Sequence, residues 1–216
     1  MTITVPFTHD QGSVYVPFMD IHAQLDMTQQ GRFEIVTPIA SSPTSLLNAV
    51  SKAADQISLF KPALIVNNEF GRTVQVTSVG AGTITIHGTD YLGQGISQTM
   101  TLVAATAQST LKAFKTITRV VNGTAAGNLS LGHGVGFGMP FVLQNVLEYY
   151  VAGAIQSAGT TVAAVLTNPQ TAATGDPRGT WAPAAGAAPN GVRTLEIIAK
   201  FNATDAVGGL LGYAGR

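Results

Sequence analysis

The chain opens with short segments in which apolar and polar residues alternate. Residues 2–7 (TITVPF) alternate threonine with apolar residues, and residues 13–21 (SVYVPFMDI) are rich in β-branched and aromatic residues, so both segments predict extended strands. Residues 33–39 form another short strand candidate. Proline cannot donate to a sheet ladder, so Pro6 and Pro17 favour edge positions or arms that pair with another chain. Residues 1–40 are therefore predicted to be an extended N-terminal arm with the first strands.

Residues 45–57 carry the helical signal of this sequence. Leu46 or Leu47, Val50, Ala54 and Ile57 recur at helical spacing behind serine and threonine residues that can cap a helix. The pattern predicts one short, lightly apolar helix near 45–57.

From residue 63 onward the apolar residues recur at every second position. The segments are ALIVN, TVQVTSV, TITIH, TMTLVAA, AFKTITRVV and NLSLG, and turn residues separate them roughly every ten residues, the spacing of an all-β sandwich or barrel. An Asn-Gly turn at Asn122 is expected to end the strand AFKTITRVV. These patterns predict a mainly β, Greek-key or jelly-roll-like sandwich or barrel, with the main domain over residues 41–167.

Residues 132–138 (GHGVGFG) place glycine at every second position. In a strand the four glycines share one face, which would let another strand or subunit approach closely. A flexible loop explains the same letters, so both alternatives stand.

Residues 168–216 begin with four prolines among glycine and alanine, which predicts an irregular excursion across the surface before a strand at 192–201. Trp181, the only tryptophan, lies in this excursion. It is either an anchor that contacts a partner, as large rigid side chains often are, or a side chain that folds back onto its own core. The candidate interface residues along the chain are Val5, Phe7, Tyr15, Phe18, Trp181, Leu210, Leu211 and Tyr213.

Composition adds that the surface is short of charge. Charged residues make up 10% of the chain and the net charge is zero, against a typical quarter of charged residues in soluble domains. We interpret this as a surface built for permanent contact; a soluble protein that prefers neutral polar residues is the alternative. A basic stripe interleaved with aromatics is missing, so nucleic acid is not expected as a partner.

Targeting and cysteine chemistry are not indicated either. The chain has no cysteine, which excludes disulfides and thiolate metal sites. We find neither the basic and apolar regions of a signal peptide nor 18 uninterrupted apolar residues, so we expect no membrane and a protein made in a cytosol.

The candidate catalytic groups are few and scattered. His87 and Asp90 lie three residues apart and could share a metal or a proton, but a turn-capping aspartate beside a solvated histidine is the simpler interpretation. His9 with Asp10 and Asp20 with His22 are further close pairs that lack a third ligand. His133 could be a base, although a histidine between glycines is more often exposed.

Known catalytic and phosphate-binding motifs are missing as well. The glycine run fits neither phosphate-loop pattern, and no G-x-S-x-G elbow occurs. We therefore predict a protein that is not an enzyme, with no catalytic residue, cofactor, metal or small-molecule substrate.

Three segments resemble structural proteins of tailed bacteriophages. Residues 82–121, GTITIHGTDYLGQGISQTMTL followed by AFKTITRVV, are similar to the pattern "TGTDQYGQPISET...AFKTVTSV" of those proteins. Residues 174–201 (TGDPRGTWAPAAGAAPNGVRTLEIIAKF) resemble their pattern "D-x-RGT-Y-x-P...P-(D/N)-G". Between them, residues 130–143 (SLGHGVGFGMPFVL) are similar to "VSVGTGDVFGLPYRV", with His133 near the point where the family has an acidic residue.

The resemblance implies membership of a virion. Low charge, a β core, extended arms and the Pro/Gly-rich excursion favour a capsid decoration (cement) protein, a homo-oligomer with a trimer favoured, that binds the major capsid protein and copies of itself on the capsid surface. A tail-tube, neck or other head–tail protein is the main alternative. A host-glycan-binding module is a third possibility, which exposed aromatics would have to support.

Overall fold

The computed structural model describes residues 2–6, 13–17, 28–51, 57–66, 70–156, 159–165 and 175–202. These residues form a mainly β structure of antiparallel sheets with a half-barrel curl, as the alternating pattern predicted. The first eight strands are β1 Thr2–Pro6, β2 Ser13–Pro17, β3 Thr28–Ile35, β4 Leu47–Ser51, β5 Ile57–Ile65, β6 Arg72–Ser78, β7 Gly82–Thr89 and β8 Gly95–Leu102. The other eight are β9 Gln108–Phe114, β10 Thr116–Asn122, β11 Asn128–Gly138, β12 Val142–Val151, β13 Ala154–Ile155, β14 Thr160–Val162, β15 Thr180–Ala182 and β16 Leu195–Asn202.

The strands assemble into four sheets. One four-stranded sheet has the order β5-β10-β7-β8, and another the order β13-β12-β16-β3. A six-stranded sheet has the order β14-β15-β11-β6-β9 with β4 paired to β11, and β1 and β2 form a two-stranded sheet of their own. A short 3₁₀ turn occupies Ala185–Ala187.

Two clusters of buried apolar side chains hold these sheets together. The first contains Val76, Ile84 and Ile86 from the two sheets around β6 and β7, and the second contains Tyr149, Trp181 and Ile197 around β12 and β16. Strand β11 contributes to both, with Leu129 and Leu131 in the first cluster and Phe137 in the second. This strand therefore joins the two cores directly.

The short helix predicted near 45–57 does not form where the structure describes that segment. Leu47–Ser51 is strand β4, paired in antiparallel register with β11, and Ile57 begins strand β5; residues 52–56 lie outside the described residues. Leu46 and Leu47 both pack against the first core. Pairing and packing with β11 outweigh the weak helical preference of a lightly apolar segment.

The alternating glycines lie within a strand and not in a loop. Residues 132–138 are the second half of β11, and a methyl group added at Gly132 would meet the Ser42 carbonyl oxygen at 1.6 Å. One at Gly134 would meet Thr73 Oγ1 at 2.4 Å, and one at Gly138 would meet the Phe70 carbonyl oxygen at 2.7 Å. The close approach that alternating glycines allow is used here by other segments of the same chain.

The first half of the described Pro-rich excursion, residues 175–183, is largely buried instead of crossing the surface, while residues 185–186 and 190–191 are exposed. Residues 175–181 have almost no exposed area, and Thr180–Ala182 forms strand β15 between β14 and β11. Trp181 is fully buried, with its ring 5.1 Å from Tyr149 and 6.4 Å from Phe137 between centroids. Of the two roles considered for Trp181, the structure agrees with packing onto its own core. The strand expected at 192–201 is present as β16.

The N-terminal segment contains the predicted strands, with a shift in the third. Val5 lies opposite Val14 and Tyr15 opposite Thr4 in the β1–β2 pair. Strand β3 covers Thr28–Ile35, earlier than the predicted 33–39, because its whole length pairs with β16. The remaining candidate interface residues, Phe7, Phe18, Leu210, Leu211 and Tyr213, lie outside the described residues. In the described residues no helix is long and apolar enough to span a membrane.

Candidate functional site: a buried charged cluster

Arg178 and Asp90 form an ion pair in the interior of the protein. The guanidinium Nη1 lies 3.0 Å from Asp90 Oδ2, and the side chains are 2% and 0% exposed. Arg178 Nε also donates a hydrogen bond of 2.9 Å to the Met139 carbonyl oxygen. Burying two charges is tolerated when they pair and their other polar atoms find partners, and here the ion pair and the Nε hydrogen bond together offset part of the lost hydration.

Asp90 occupies the connection between β7 and β8. Its Oδ1 accepts hydrogen bonds from the backbone N–H groups of Leu92 (2.9 Å) and Gln94 (2.8 Å). An aspartate that accepts from the backbone two residues onward stabilises a tight turn, and Gly93 supplies the positive φ of +79° that this turn requires. One carboxylate therefore shapes the turn and neutralises Arg178.

Asp176 and Arg178 come from one tight turn of sequence DPRG. The Gly179 N–H donates to the Asp176 carbonyl oxygen at 3.3 Å, and Asp176 Oδ1 accepts from the Arg178 N–H at 2.9 Å. Aspartate first, proline second and glycine fourth is the residue preference of a type I turn. The turn presents the Arg178 guanidinium towards Asp90 and the Asp176 carboxyl towards β9.

Strand β9 supplies the fourth member of the cluster, Lys112. Asp176 Oδ2 accepts from the Ala113 N–H at 2.8 Å, and Lys112 Nζ donates to the Gly175 carbonyl oxygen at 2.8 Å. Lys112 has no solvent-exposed surface. We define the buried charged cluster as Asp90, Lys112, Asp176 and Arg178.

Burial sets the protonation behaviour of this cluster. It raises the pKa of Asp176 to about 6, although the N–H donors of Ala113 and Arg178 and the charges of Arg178 and Lys112 act in the opposite direction. Burial also lowers the pKa of Lys112, and the charge of Asp176 offsets only part of that shift. Burial thus brings the pKa of the Asp176 carboxyl to within about one pH unit of neutrality.

The buried charged cluster is suited to holding segments together. Its four side chains have at most 2% of their surface exposed, so no substrate can reach them in this conformation. Met139 lies just after β11, Asp90 just after β7, and Lys112 within β9. Arg178 and Asp176 therefore connect three separate regions of the chain to one turn.

The pairing of His87 with Asp90, the less favoured of the two interpretations of these residues, is not formed. Asp90 is buried against Arg178, as described above, while His87 is half-buried in strand β7 near Arg119. The capping role of Asp90 in its turn is confirmed, but its partner Arg178 was not foreseen. In the described residues, no three His, Cys, Asp or Glu side chains lie close enough to hold a metal.

His133 is buried, contrary to the expectation that a histidine between glycines is exposed. It is 5% exposed, its Nδ1 lies 2.7 Å from Ser45 Oγ, and its backbone N–H donates to that same hydroxyl oxygen at 3.1 Å. Burial lowers the pKa of the His133 imidazole, the charge of Arg72 lowers it further, and a hydrogen bond with the Val66 backbone acts against both. The Ser45 hydroxyl therefore fastens His133 to the segment that precedes β4.

Arg72 is the other buried cation near the glycine run. Its Nε donates to the Gly134 carbonyl oxygen at 2.7 Å, its Nη1 to the Ile39 carbonyl oxygen, and its guanidinium lies 5.1 Å from the centre of the Phe137 ring. Burial lowers the pKa of Arg72 to about 10. Two carbonyl oxygens and an aromatic face thus replace part of the water that this guanidinium loses, while its buried Nη2 has no hydrogen-bond partner among the described residues.

Comparison with known proteins adds no assignment: no protein-family model, no curated protein and no solved structure matches this chain.

Three residues of the cluster, Lys112, Asp176 and Arg178, were not singled out for their chemistry in the sequence. Two signals could have indicated them. DPRG has the residue preference of a type I turn, and in STLKAF the alternation places Lys112 on the same face as Thr110 and Phe114. A lysine on an inward face needs a buried partner, which points to an acidic residue elsewhere.

Proposed function

We propose that this chain is a structural protein of a tailed-bacteriophage particle, specifically a capsid decoration (cement) protein that binds the major capsid protein and stabilises the head. The proposal includes a jelly-roll-like sandwich fold. This is a more specific arrangement than the curled antiparallel sheets described above. The protein acts mechanically and not as an enzyme.

The observation that carries the proposal is the convergence of three segments on Arg178. Asp90 belongs to residues 82–121, Met139 to residues 130–143, and Arg178 to residues 174–201, and these are the three segments that resemble phage structural proteins. They are far apart in sequence, yet their hydrogen bonds meet at one guanidinium. Because the three segments form one internal cluster, their similarity to phage proteins is better explained by a shared fold than by three unrelated local similarities.

The low charge of the surface is a second observation that supports the proposed structural role. Apart from the buried charged cluster, one ion pair occurs among the described residues, the exposed Arg32–Glu196 pair. A surface with few charges does little to keep copies of a protein apart, which suits permanent contacts of roughly 1,000 Å² or more in an assembly. The two-stranded β1–β2 sheet and the segment after β16 are the candidates for contacts with the major capsid protein.

Copy number in purified particles tests the proposal. Quantitative gel densitometry of virions that contain this chain is expected to give a count comparable with that of the major capsid protein. A few copies per particle would instead assign the chain to the neck or tail, and absence from virions would contradict a structural role altogether.

The oligomeric state of the purified protein is a separate check. Sedimentation equilibrium is expected to give a trimer, three times the chain mass of 22.3 kDa. A monomer at all concentrations would remove the trimer from the proposal while leaving the particle location to the copy-number measurement.

A further inference from the structure

The outward face of the β5-β10-β7-β8 sheet carries a groove lined by polar side chains. Ser97 on β8 lies opposite His87 on β7, and His87 lies opposite Arg119 on β10, so the three residues form one row across neighbouring strands. With Thr118 they line a groove of about 380 Å³, open to solvent. Gly95, at the end of the groove, has no neighbour within 4 Å of its missing side chain, so that end stays open.

An irregularity in β10 creates this groove. The register of β10 shifts between Ile117 and Arg119 against both of its neighbouring strands, which is the signature of a β-bulge. Ile117 and Val120 are buried, while Thr118 and Arg119 between them are both exposed. A regular strand would turn one of these two side chains inward, so the bulge is what places a hydroxyl and a guanidinium side by side on the surface.

Arg119 differs from the other arginines that the structure describes. Arg32 pairs with Glu196, Arg193 donates to the Gly186 carbonyl oxygen, and Arg72 and Arg178 bond acceptors in the interior. Within the described part of the chain, the Arg119 guanidinium makes no hydrogen bond or ion pair. Its five donors therefore remain available to a ligand.

The neighbours of Arg119 favour an anion. The Ser97 hydroxyl makes no hydrogen bond among the described residues, whereas the Thr118 hydroxyl donates its hydrogen to the His87 carbonyl oxygen at 3.2 Å and is therefore already used. The pKa of His87 is lowered, first by burial and then by the charge of Arg119, so at neutral pH the imidazole offers an N–H donor without a second positive charge. The groove thus presents one cation with two neutral donors beside it, the Ser97 hydroxyl and the His87 imidazole.

One positive charge matches one carboxylate better than it matches a nucleic-acid backbone. Nucleic-acid sites neutralise several phosphates with clustered basic residues, whereas among the described residues that line this groove only Arg119 is charged at neutral pH. A guanidinium fork pairs with a carboxylate through two parallel hydrogen bonds. A single such contact would contribute to fixing the orientation of a partner on this sheet.

We propose that the groove lined by His87, Ser97, Thr118 and Arg119 binds a carboxylate side chain of a neighbouring protein in the assembly. The identity of that neighbour rests on the proposed function, since the particle is what supplies it. Binding of the carboxylate itself does not depend on the particle and can be measured on the purified chain.

Acetate serves as the probe in the first experiment. The full chain, labelled with ¹⁵N, is titrated with sodium acetate at constant ionic strength while amide and arginine side-chain resonances are followed. We expect saturable shifts confined to residues around His87, Ser97 and Arg119. The Arg119→Gln variant is expected to bind acetate about tenfold more weakly, the factor that accompanies loss of a charge-assisted hydrogen bond.

Arg32→Gln is the matched control, because it removes an exposed arginine at a distance from the groove and should leave acetate binding unchanged. Trp181 fluorescence verifies that each variant is folded. Shifts spread over the whole surface, or equal binding by Arg119→Gln and wild type, would overturn the proposal. Binding of inorganic phosphate in preference to acetate would overturn the assignment to a carboxylate.

A second experiment separates this proposal from the proposed function. Virions are assembled with Arg119→Gln or Arg32→Gln, and the occupancy of the chain is compared with wild type. Reduced occupancy for Arg119→Gln alone supports the groove as a particle contact. Acetate binding that requires Arg119, together with full occupancy of Arg119→Gln virions, would overturn the neighbouring-protein part, whereas absence of the wild-type chain from virions would refute the proposed function instead.

Discussion

At the scale of single residues, the two ion pairs of the described structure differ in burial, and burial changes how much stability is lost when one partner is removed. Arg32 and Glu196 are 2.7 Å apart on the surface, while Arg178 and Asp90 are 3.0 Å apart in the interior. The shorter pair is the weaker contributor to stability, because water and ions screen exposed charges. Removing one partner of the buried pair leaves the other charge in a place that cannot solvate it.

The Arg178→Gln substitution is therefore expected to lower the free energy of unfolding by about 3–5 kcal/mol. Arg32→Gln, which also removes an arginine from a carboxylate, is expected to lower it by about 0–1 kcal/mol. Urea unfolding followed by Trp181 fluorescence measures both. If the two variants lose the same amount of stability, the Asp90 carboxylate does not depend on Arg178 for its stabilisation in the folded state.

Asp176 adds a pH dependence of predictable sign. Its pKa is raised from 3.8 to about 6 in the folded protein by burial, so the folded state holds a proton that the unfolded state has released. The contribution of the Asp176 carboxyl to the free energy of unfolding is therefore greatest below pH 3.8 and is lost as the pH rises through 6. The histidines His87 and His133 have lowered pKa values and act in the opposite direction, since their stability is lost as the pH falls below 6.5.

A comparison of wild type with Asp176→Asn isolates the carboxyl group. Between pH 8 and pH 5 the stability of the wild type relative to this variant is expected to increase by about 1.4 kcal/mol, because the lower pH lies one pH unit below the folded pKa of about 6. Urea unfolding at several pH values provides the measurement. A difference that stays constant with pH would mean that Asp176 remains ionised in the fold.

At the scale of elements, β11 is the strand on which the architecture depends. It pairs with β4, β6 and β15 and contributes side chains to both cores. Its alternating glycines leave room for the segment around Ser42 and for the side chain of Thr73. These groups occupy the space that β11 side chains would otherwise fill. The absence of side chains at these positions is therefore a packing requirement.

A Gly132→Ala substitution tests that requirement. The added methyl group would meet the Ser42 carbonyl oxygen at 1.6 Å, so we expect a loss of about 1–3 kcal/mol or more of stability from overpacking. Gly95→Ala is the matched strand variant, since nothing lies within 4 Å of its new methyl group, and it is expected to be neutral or to stabilise by about 0.5 kcal/mol. Denaturation midpoints of the two variants provide the comparison; a harmless Gly132→Ala would refute the close approach.

At the scale of the whole molecule, two cores are joined by β11 and by the buried charged cluster. The first core lies between the sheets that contain β6 and β7, and the second lies around β12 and β16. The β1–β2 sheet pairs with no other sheet of the described chain, so the cores do not rely on its hydrogen bonds. Strand β2 contacts β3, whereas the main contacts of β1 are with β2, so removal of β1 is expected to have little effect on the two cores.

Deletion of residues 1–12, which removes β1, is accordingly expected to leave a folded protein with unchanged Trp181 fluorescence but weaker attachment to particles. Far-ultraviolet circular dichroism and occupancy of assembled virions measure the two properties. Full occupancy of the truncated chain would contradict a role for this arm in attachment, and a collapsed spectrum would show that β1 is needed for the fold.

The sequence by itself determined the β class, because a two-residue period in segments such as TITIH requires one face of each strand to be buried. It also located the Asp90 turn, the end of β10 at Asn122 and the strand β16, since turn residues and alternation act locally. The helix prediction at 45–57 was wrong for Leu47–Ser51, where only pairing with β11 decides between helix and strand.

Only the tertiary structure decided which distant residues meet. Asp90 and Arg178 are separated by 88 positions, and no local pattern connects them. The burial of Trp181 and of His133 has the same origin, because the surroundings of a side chain depend on which sheets pack over it. The groove at Arg119 depends on one bulge in β10, a shift in register that arises between strands and has no signature within one strand.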